Sequence, residues 1–215
     1  MNASGSFDVD FAAFSARFAM PSARSRGFLN HWFSYDFRNV HYISVSSEHP
    51  HDASSPQWQW ADADLAAVDR AATPWIVFTQ HRPIYSSDAS EPGLPGGDYS
   101  AAWEPLLKKY AVDLVIVGHQ HMFERTFPVL NGTVVSSPDA NNTFTNPGAP
   151  IYIVVGTAGA NQEEKYLEPQ PAWSAVRFQE YGYGQMTVTG GASLAFDFVD
   201  IYGEVRDSFT IARMA

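Results

Sequence analysis

Three short apolar runs divide the chain into segments and predict its core. The runs Trp75–Thr79, Leu114–Val117 and Ile151–Val155 have the length of strands and contain almost no polar residue. Such runs are typical of strands that are buried on both faces of a sheet. Helix-like segments lie between the first runs, and the alternation of the two kinds of segment predicts an α/β layered fold.

The segments before and between these runs carry helical signals. Phenylalanines recur at helical spacing over residues 8–18, which predicts a short amphipathic helix. Ser54-Ser55-Pro56 has the form of a helix start with proline in the first turn, and we expect that helix to end near Arg70. Residues 101–110 predict a further helix, whereas the composition of residues 86–98 is that of a loop.

Strand-like alternation dominates two other regions of the chain. Residues 28–47 predict a hairpin that turns at residues 36–39. The segment from Gly184 to Ile211 contains three strand-like runs, separated by turns at Gly190-Gly191 and Tyr202-Gly203. We therefore expect the fold to end in antiparallel strands.

Composition narrows the classes of function. The chain has 215 residues, a net charge of −10 and no cysteine, which excludes disulfides, thiolate metal sites and cysteine nucleophiles. The acidic balance argues against a nucleic-acid partner, and no apolar run is long enough to span a membrane. The first ten residues are polar and acidic, so we expect no secretory signal after Met1, and either a cytoplasmic protein or an N-terminus that lies upstream. Three sequons, at Asn2, Asn131 and Asn141, would carry glycans only in a secreted protein.

Histidines follow two of the apolar runs directly. His81 comes after the first run, and His119 and His121 come after the second. Ligands of open α/β sheets bind at the carboxyl ends of the strands, so these side chains lie where a site is expected. Neutral imidazole is a common ligand of Zn, Fe and Mn, and Gly118 is expected to give the backbone freedom to turn there. The alternative is that these histidines are capping or solvated residues.

The residues around the histidines resemble the last two metal motifs of purple acid phosphatases, a branch of the calcineurin-like metallophosphoesterases. The motifs are Thr79-Gln-His81-Arg-Pro-Ile-Tyr-Ser-Ser87 and Gly118-His-Gln-His-Met-Phe-Glu-Arg-Thr-Phe-Pro128. Further matches extend over nearly the whole chain, including Trp32-Phe-Ser-Tyr-Asp-Phe, Gly156-Thr-Ala-Gly159 and the closing Gly203-Glu-Val-Arg-Asp-Ser-Phe209.

The resemblance implies a fold, a cofactor and an activity. It implies part of a four-layer αββα sandwich, with residues 1–127 from the phosphoesterase domain and residues 128–215 completing the same sandwich. It implies a dinuclear centre of Fe(III) with Zn, Mn or Fe(II), in which His81 and His119 bind the divalent ion and His121 binds the ferric ion. The implied reaction is acid phosphatase hydrolysis of small phosphomonoesters in a secreted or lysosome- or vacuole-like compartment.

The carboxylate half of that centre is not recognisable in the sequence. No Gly-Asp pair with suitable spacing precedes Arg17, and no Asn-His-Glu is present, so the family's Asp, Tyr and Asn-His motifs are unmatched. We therefore expect an incomplete centre, and an exposed apolar edge beside the strands ending at Thr79 and Val117 that favours poor solubility, a homo-oligomer or a complementing chain. An inactive remnant with weak metal affinity and a secreted β-rich binding module are the alternatives.

The remaining candidates have weaker signals. Glu124 and Arg125 could orient ligands or contact phosphate, although a structural salt bridge is the simpler interpretation. Tyr85 could line the pocket or pack in the core, and the general acid is unidentified. Four histidines lack any ligand context, and we assign them to the surface or to packing in the hairpin: His31, His41, His49 and His51.

Overall fold

A computed structural model describes residues 11–162 and 165–214 of the chain. Its helices are α1 (Ala12–Arg17), α2 (Ser22–Ser25), α3 (Pro56–Ala66) and α4 (Asp98–Lys109). Its strands in the first half are β1 (Phe33–Phe37), β2 (Val40–Ser44), β3 (Trp75–Gln80), β4 (Leu114–Val117) and β5 (Phe123–Thr126). Those in the second half are β6 (Val129–Leu130), β7 (Thr133–Val134), β8 (Thr143–Thr145), β9 (Ile151–Val155), β10 (Ser174–Phe178), β11 (Gly182–Thr189), β12 (Ser193–Asp200) and β13 (Val205–Ala212).

Seven strands form the central sheet in the order β1-β2-β3-β4-β9-β5-β10. The four central strands β2, β3, β4 and β9 are parallel to one another, and the outer pairs are antiparallel. The prediction of an exposed apolar edge beside β3 and β4 is wrong. The strand β2 pairs with β3 on one side, and β9 pairs with β4 on the other. The edges of this sheet are the hairpin strand β1 and the strand β10.

The second sheet has the order β11-β12-β13-β8 and packs on one face of the first, while β6 and β7 form a small separate ribbon. Side chains alternate along the central strands, as the pleat requires. Ile76 and Phe78 of β3 join a cluster with α3 and α4, whereas Trp75 and Val77 join a cluster with the second sheet. The described residues therefore form a helix layer, the seven-stranded sheet and the four-stranded sheet, which confirms the α/β sandwich with an antiparallel end.

Most of the predicted elements are confirmed, with shifted ends. The helix predicted over 8–18 is present as α1, with residues 8–10 outside the described part of the chain, and the helix predicted over 101–110 begins earlier, at Asp98. Ser55 caps α3 by accepting from the Trp58 amide at 3.2 Å, as its sequence predicts. This helix ends at Ala66 and not near Arg70, where the Asp69 side chain accepts from the Ala71 amide and competes with helical bonding.

Across residues 11–162 and 165–214, none of the helices has the length and the apolar character that crossing a membrane would require.

Candidate metal centre

The loops that follow the parallel strands meet at one edge of the central sheet. Glu48 lies in the loop after β2, His81 and Arg82 follow β3, and the segment from His119 to His121 follows β4. The backbone amide of Gly118 donates to the carbonyl of His81 at 3.1 Å and holds the two histidine loops together just beyond the strands. The carboxyl ends of parallel strands are where α/β sheets place their sites, and this sheet places its histidines there.

His81 and His119 form the most compact part of the site. The Nε2 atom of His81 lies 3.2 Å from the Nδ1 atom of His119, and the two rings meet edge to face with centroids 5.0 Å apart. Burial lowers the pKa of His81, and the adjacent His119 lowers it further. His81 therefore stays neutral to lower pH than a solvated histidine does, and neutral imidazole is the form that binds metal ions.

The backbone of His119 has an unusual conformation. Its φ angle is +70°, in the left-handed region that is uncommon for residues other than glycine. The turn after β4 therefore falls on His119, and the expectation that Gly118 provides it is wrong, because Gly118 has no positive φ. The position near this turn that requires glycine is Gly156, just after β9. A Cβ atom added there would lie only 1.8 Å from the Gln120 carbonyl oxygen, so only glycine lets the end of β9 approach the loop that carries His119 and His121.

His121 faces a different partner. Its Nδ1 lies 2.8 Å from the carbonyl oxygen of Asn161, to which it donates. That bond holds the orientation of the ring, and a backbone carbonyl is a common partner of histidines that bind metal ions. The structure thus brings His81 and His119 together. His121 is oriented separately, by the Asn161 carbonyl group in the loop that follows β9.

Charged residues surround the His81–His119 pair. Arg82 contacts two carboxylates: its Nε lies 3.0 Å from Glu48, and an Nη atom donates to Glu91. Its guanidinium lowers the pKa of Glu48. Glu91 also contacts His119, with Oε2 lying 2.9 Å from Nε2, and this hydrogen bond lowers the pKa of the Glu91 carboxyl.

The donor set fits one part of a dinuclear centre. Two imidazole nitrogens that share one ion, each about 2.0–2.1 Å from it, lie about 2.9–3.4 Å apart, and the observed 3.2 Å agrees. Within residues 11–162 and 165–214, however, no three His, Asp or Glu side chains are grouped so that they could hold an ion. The described residues therefore fit two ligands of a first ion and not a complete pair of metal sites.

Glu124 and Arg125 bind different partners and do not pair with each other. Arg125 makes a buried two-pronged ion pair with Asp207, with distances of 2.6 and 2.9 Å. Glu124 accepts from the Ser87 amide at 2.7 Å and from the Ser174 hydroxyl at 2.5 Å. The interpretation of a structural salt bridge holds for Arg125, although its partner lies in the second sheet.

Tyr85 belongs to the core and not to the pocket. It is fully buried, and its hydroxyl donates to Glu104 at 2.7 Å. His31 and His41 are also buried, in aromatic packing and between two aspartates respectively, which agrees with the packing in the hairpin that we expect for them. His49 packs against Trp32 of the predicted hairpin, as expected, whereas His51 stacks on Tyr99 of α4.

Two site residues carry no signal in the sequence. Glu91 lies in a loop whose composition indicates only a loop, and Asn161 takes part through its carbonyl group. Neither the spacing nor the residue type marks such positions. They are recognised only after the fold has brought the loops together.

Family models match most of the chain. The model described as calcineurin-like phosphoesterase matches residues 6–123, and the model described as iron/zinc purple acid phosphatase-like protein C matches residues 149–208. The chain belongs to the calcineurin-like phosphoesterase family. Within this family it resembles the purple acid phosphatases over both halves, as the sequence motifs predict.

Individual relatives of this chain agree with the family models. Purple acid phosphatase 18 of Arabidopsis thaliana is 36% identical over 184 residues, which are 84% of this chain and 39% of the relative. Acid phosphatase type 7 of Homo sapiens is 33% identical over 227 residues, covering 95% of this chain and 50% of the relative. A purple acid phosphatase structure from yellow lupin (Lupinus luteus) seeds matches with a TM-score of 0.76 and 27% identity, over 85% of this chain and 32% of the lupin chain.

The chain thus spans about two fifths to one half of the length of the curated relatives that it matches.

Proposed function

We propose that this chain contributes the histidine ligands of a metal-dependent phosphomonoesterase of the acid phosphatase type. The observation that carries the proposal is the 3.2 Å approach of His81 Nε2 to His119 Nδ1 at the carboxyl ends of β3 and β4. In this proposal these two nitrogens hold a divalent ion, and His121 belongs to a second, ferric site. The names of the relatives support the reaction type.

A pair of bound cations supplies charge neutralisation at the phosphoryl oxygens and makes water a stronger nucleophile. The part of this chain in that chemistry is to position ligands. The His81 loop and the His119 loop are tied by the Gly118–His81 backbone bond, and the left-handed turn at His119 directs its ring toward His81. Imidazole nitrogens bring no negative charge, so the proposed centre also needs carboxylates.

We propose that those carboxylates come from polypeptide other than the residues described here, either in a longer form of the protein or in a complementing chain. The chain's coverage of about half of its relatives supports this arrangement. The second candidate function is an inactive relative that keeps only weak, histidine-based metal affinity. The lack of any group of three metal ligands within residues 11–162 and 165–214 favours that alternative.

Zinc titration of the purified, metal-stripped chain tests the histidine pair. We expect one divalent ion to bind, and His119→Ala to weaken its affinity at least tenfold, since half of the observed nitrogen pair is removed. His51→Ala is the matched control, because that ring stacks on Tyr99 outside the site and its loss leaves zinc affinity unchanged. Equal affinities in the chain and the His119 variant would contradict the proposal.

Hydrolysis of p-nitrophenyl phosphate at mildly acidic pH separates the two candidate functions. We expect little turnover and no violet absorbance from these 215 residues alone. Turnover that appears with a longer natural form supports the enzyme, whereas a longer form that is equally inactive supports the remnant. By the same resemblance the activity belongs in a secreted or vacuole-like compartment, where the exposed Asn131 and Asn141 would carry glycans that an endoglycosidase removes.

A further inference from the structure

The two ring nitrogens of His119 face two different partners. Nδ1 lies 3.2 Å from His81 Nε2, and Nε2 lies 2.9 Å from the carboxylate of Glu91. A histidine in this position has one nitrogen toward the expected ion and the other toward an acceptor. Glu91 therefore lies on the side of the His119 ring that faces away from His81.

The backbone and the side chain of Glu91 are each fixed by neighbouring groups. The loop that carries it is closed by a pair of 3.0 Å backbone hydrogen bonds between Ser86 and Gly93. The buried side chain of Gln120 donates to the Glu91 carbonyl at 2.9 Å. These contacts hold Glu91 beside His119 although its side chain is 57% exposed.

Arg82 fixes the carboxylate itself. One of its Nη atoms donates to Glu91 Oε1, and its Nε donates to Glu48, so the guanidinium is held between two acidic residues. The other carboxylate oxygen of Glu91 is the one that reaches His119. Each oxygen of Glu91 thus has its own partner, and rotation of the carboxylate would break both contacts.

The same geometry selects one tautomer of His119. The Nη atom of Arg82 also lies 3.3 Å from Nε2, but one nitrogen cannot both accept from Arg82 and donate to Glu91. The Glu91 contact is shorter, and that Nη already donates to Glu91. Nε2 therefore carries the hydrogen and Nδ1 carries the lone pair, which faces His81.

We propose that Glu91 is the positioning residue of His119: it accepts the Nε2 hydrogen, fixes the ring orientation and leaves Nδ1 as the metal-binding nitrogen. Carboxylates that accept from the second nitrogen of a metal-binding histidine make it a better ligand. The metal-binding part of this inference rests on the function proposed above. The tautomer does not, because the Glu91 contact exists within the chain itself.

Nitrogen-15 NMR of His119 in the metal-free chain tests the tautomer directly. We expect the chemical shifts of a ring protonated at Nε2, and a mixture of tautomers in Glu91→Ala. Glu91→Gln keeps an oxygen acceptor and should retain the Nε2–H form. A His119 ring protonated at Nδ1 in the unmodified chain, or an unchanged tautomer in Glu91→Ala, would overturn the proposal.

Zinc affinity measured by calorimetry provides the second readout. Loss of such a partner typically weakens metal binding about 10- to 100-fold, and we expect this range for Glu91→Ala, with partial recovery in Glu91→Gln. Glu180→Ala is the matched control, since it removes the carboxylate partner of another arginine, Arg206, outside the histidine loops, and we expect a change below about threefold. Equal weakening by Glu180→Ala and Glu91→Ala would show that the loss of any acidic side chain matters and not the His119 contact, which overturns the proposal.

The two measurements distinguish the possible failures. If the unmodified chain binds no zinc, the proposed function is wrong, whatever the tautomer. If it binds zinc and Glu91→Ala binds it equally well, the function stands and the role of Glu91 is wrong.

Discussion

The interface between the two sheets and the histidine edge of the central sheet are built in opposite ways. The interface is filled by aromatic and branched side chains, and the ion pair of Arg125 with Asp207 within it is buried on both sides. At the edge the contacting groups are charged, partly exposed and carried by loops. The same central strands contribute to both regions, at different points along their length.

The difference shows where stability and chemistry reside in this fold. Removal of a buried group leaves its partners unpaired and out of reach of solvent, so substitutions at the interface lower the free energy of unfolding. Removal of a partly exposed loop residue is compensated by water, so changes at the edge act on the geometry of the histidines. Substitutions at the interface should therefore change mainly the free energy of unfolding, whereas substitutions at the edge should change mainly the zinc affinity.

The largest expected effect is at the buried ion pair. Asp207→Ala leaves the Arg125 guanidinium buried and uncompensated, and removal of one partner of such a pair typically costs about 3–5 kcal/mol. Urea denaturation measures this loss. Zinc affinity of the molecules that remain folded should be unchanged, because Arg125 pairs with Asp207 in the second sheet and not with the histidines.

The adjacent pair gives a matched control for this variant. Arg206 contacts Glu180 at 2.7 Å, but both side chains are substantially exposed, and pairs of this kind contribute about 0–1 kcal/mol. Similar destabilisation by Arg206→Ala and Asp207→Ala would remove the distinction between interface and surface.

An intermediate effect is expected at Gly156, where the core meets the site. Gly156→Ala places a methyl group against the Gln120 carbonyl, and overpacking of this kind costs about 1–3 kcal/mol. Because the displaced backbone lies between His119 and His121, zinc affinity should fall together with stability. Gly118→Ala is the control beside the same histidines, since its Cβ would meet only His81 Nδ1 at an ordinary 3.8 Å. A neutral Gly156→Ala would show that the loop adapts.

The smallest expected effect concerns His41, which links the hairpin to α3. Burial by itself would lower the pKa of His41, but hydrogen bonds to Asp64 and Asp36 outweigh it, and the pKa is raised above 6.5. The stabilisation by charged His41 is therefore complete below about pH 6.5 and is lost as pH rises through the raised pKa.

The corresponding measurement compares urea unfolding of the chain and of His41→Ala at pH 5.5 and pH 8.5. We expect the variant to be less stable by about 1 kcal/mol at the lower pH, the usual net value of a hydrogen bond, and by less at the higher pH. Asp64→Asn should reduce this pH dependence. A difference that grows with pH has the wrong sign and would refute the assignment.

Elements with a strong local pattern were predictable from the sequence. The apolar runs became β3, β4 and β9, and Ser55-Pro56 begins α3 as its capping chemistry requires. The strands β5 and β10 were not predicted, because their pairing with each other and with β9 is decided by contacts distant in sequence. The same holds for the true partner of Arg125, which lies 82 residues away.

The histidines of the candidate site were predictable from the sequence, whereas the residues that support them were not. Histidine directly after a buried strand is a local signal, and it placed His81 beside His119. Glu91 has no such signal, since its contact depends on how the loop after β3 folds over the loop after β4. The position of the turn was also predicted wrongly. The sequence suggested Gly118, but the left-handed φ angle falls one residue later, at His119.

His119 occupies a position where two requirements conflict. A left-handed φ suits glycine, and a side chain there is retained at a cost in conformational energy. A chain selected for robustness alone would drift toward glycine at this position, and a chain selected for an imidazole at this point would tolerate the strain. The residue at position 119 of a related sequence therefore indicates whether selection still favours an imidazole there. Histidine would indicate that it does and glycine that it does not, even where the rest of the fold is equally well preserved.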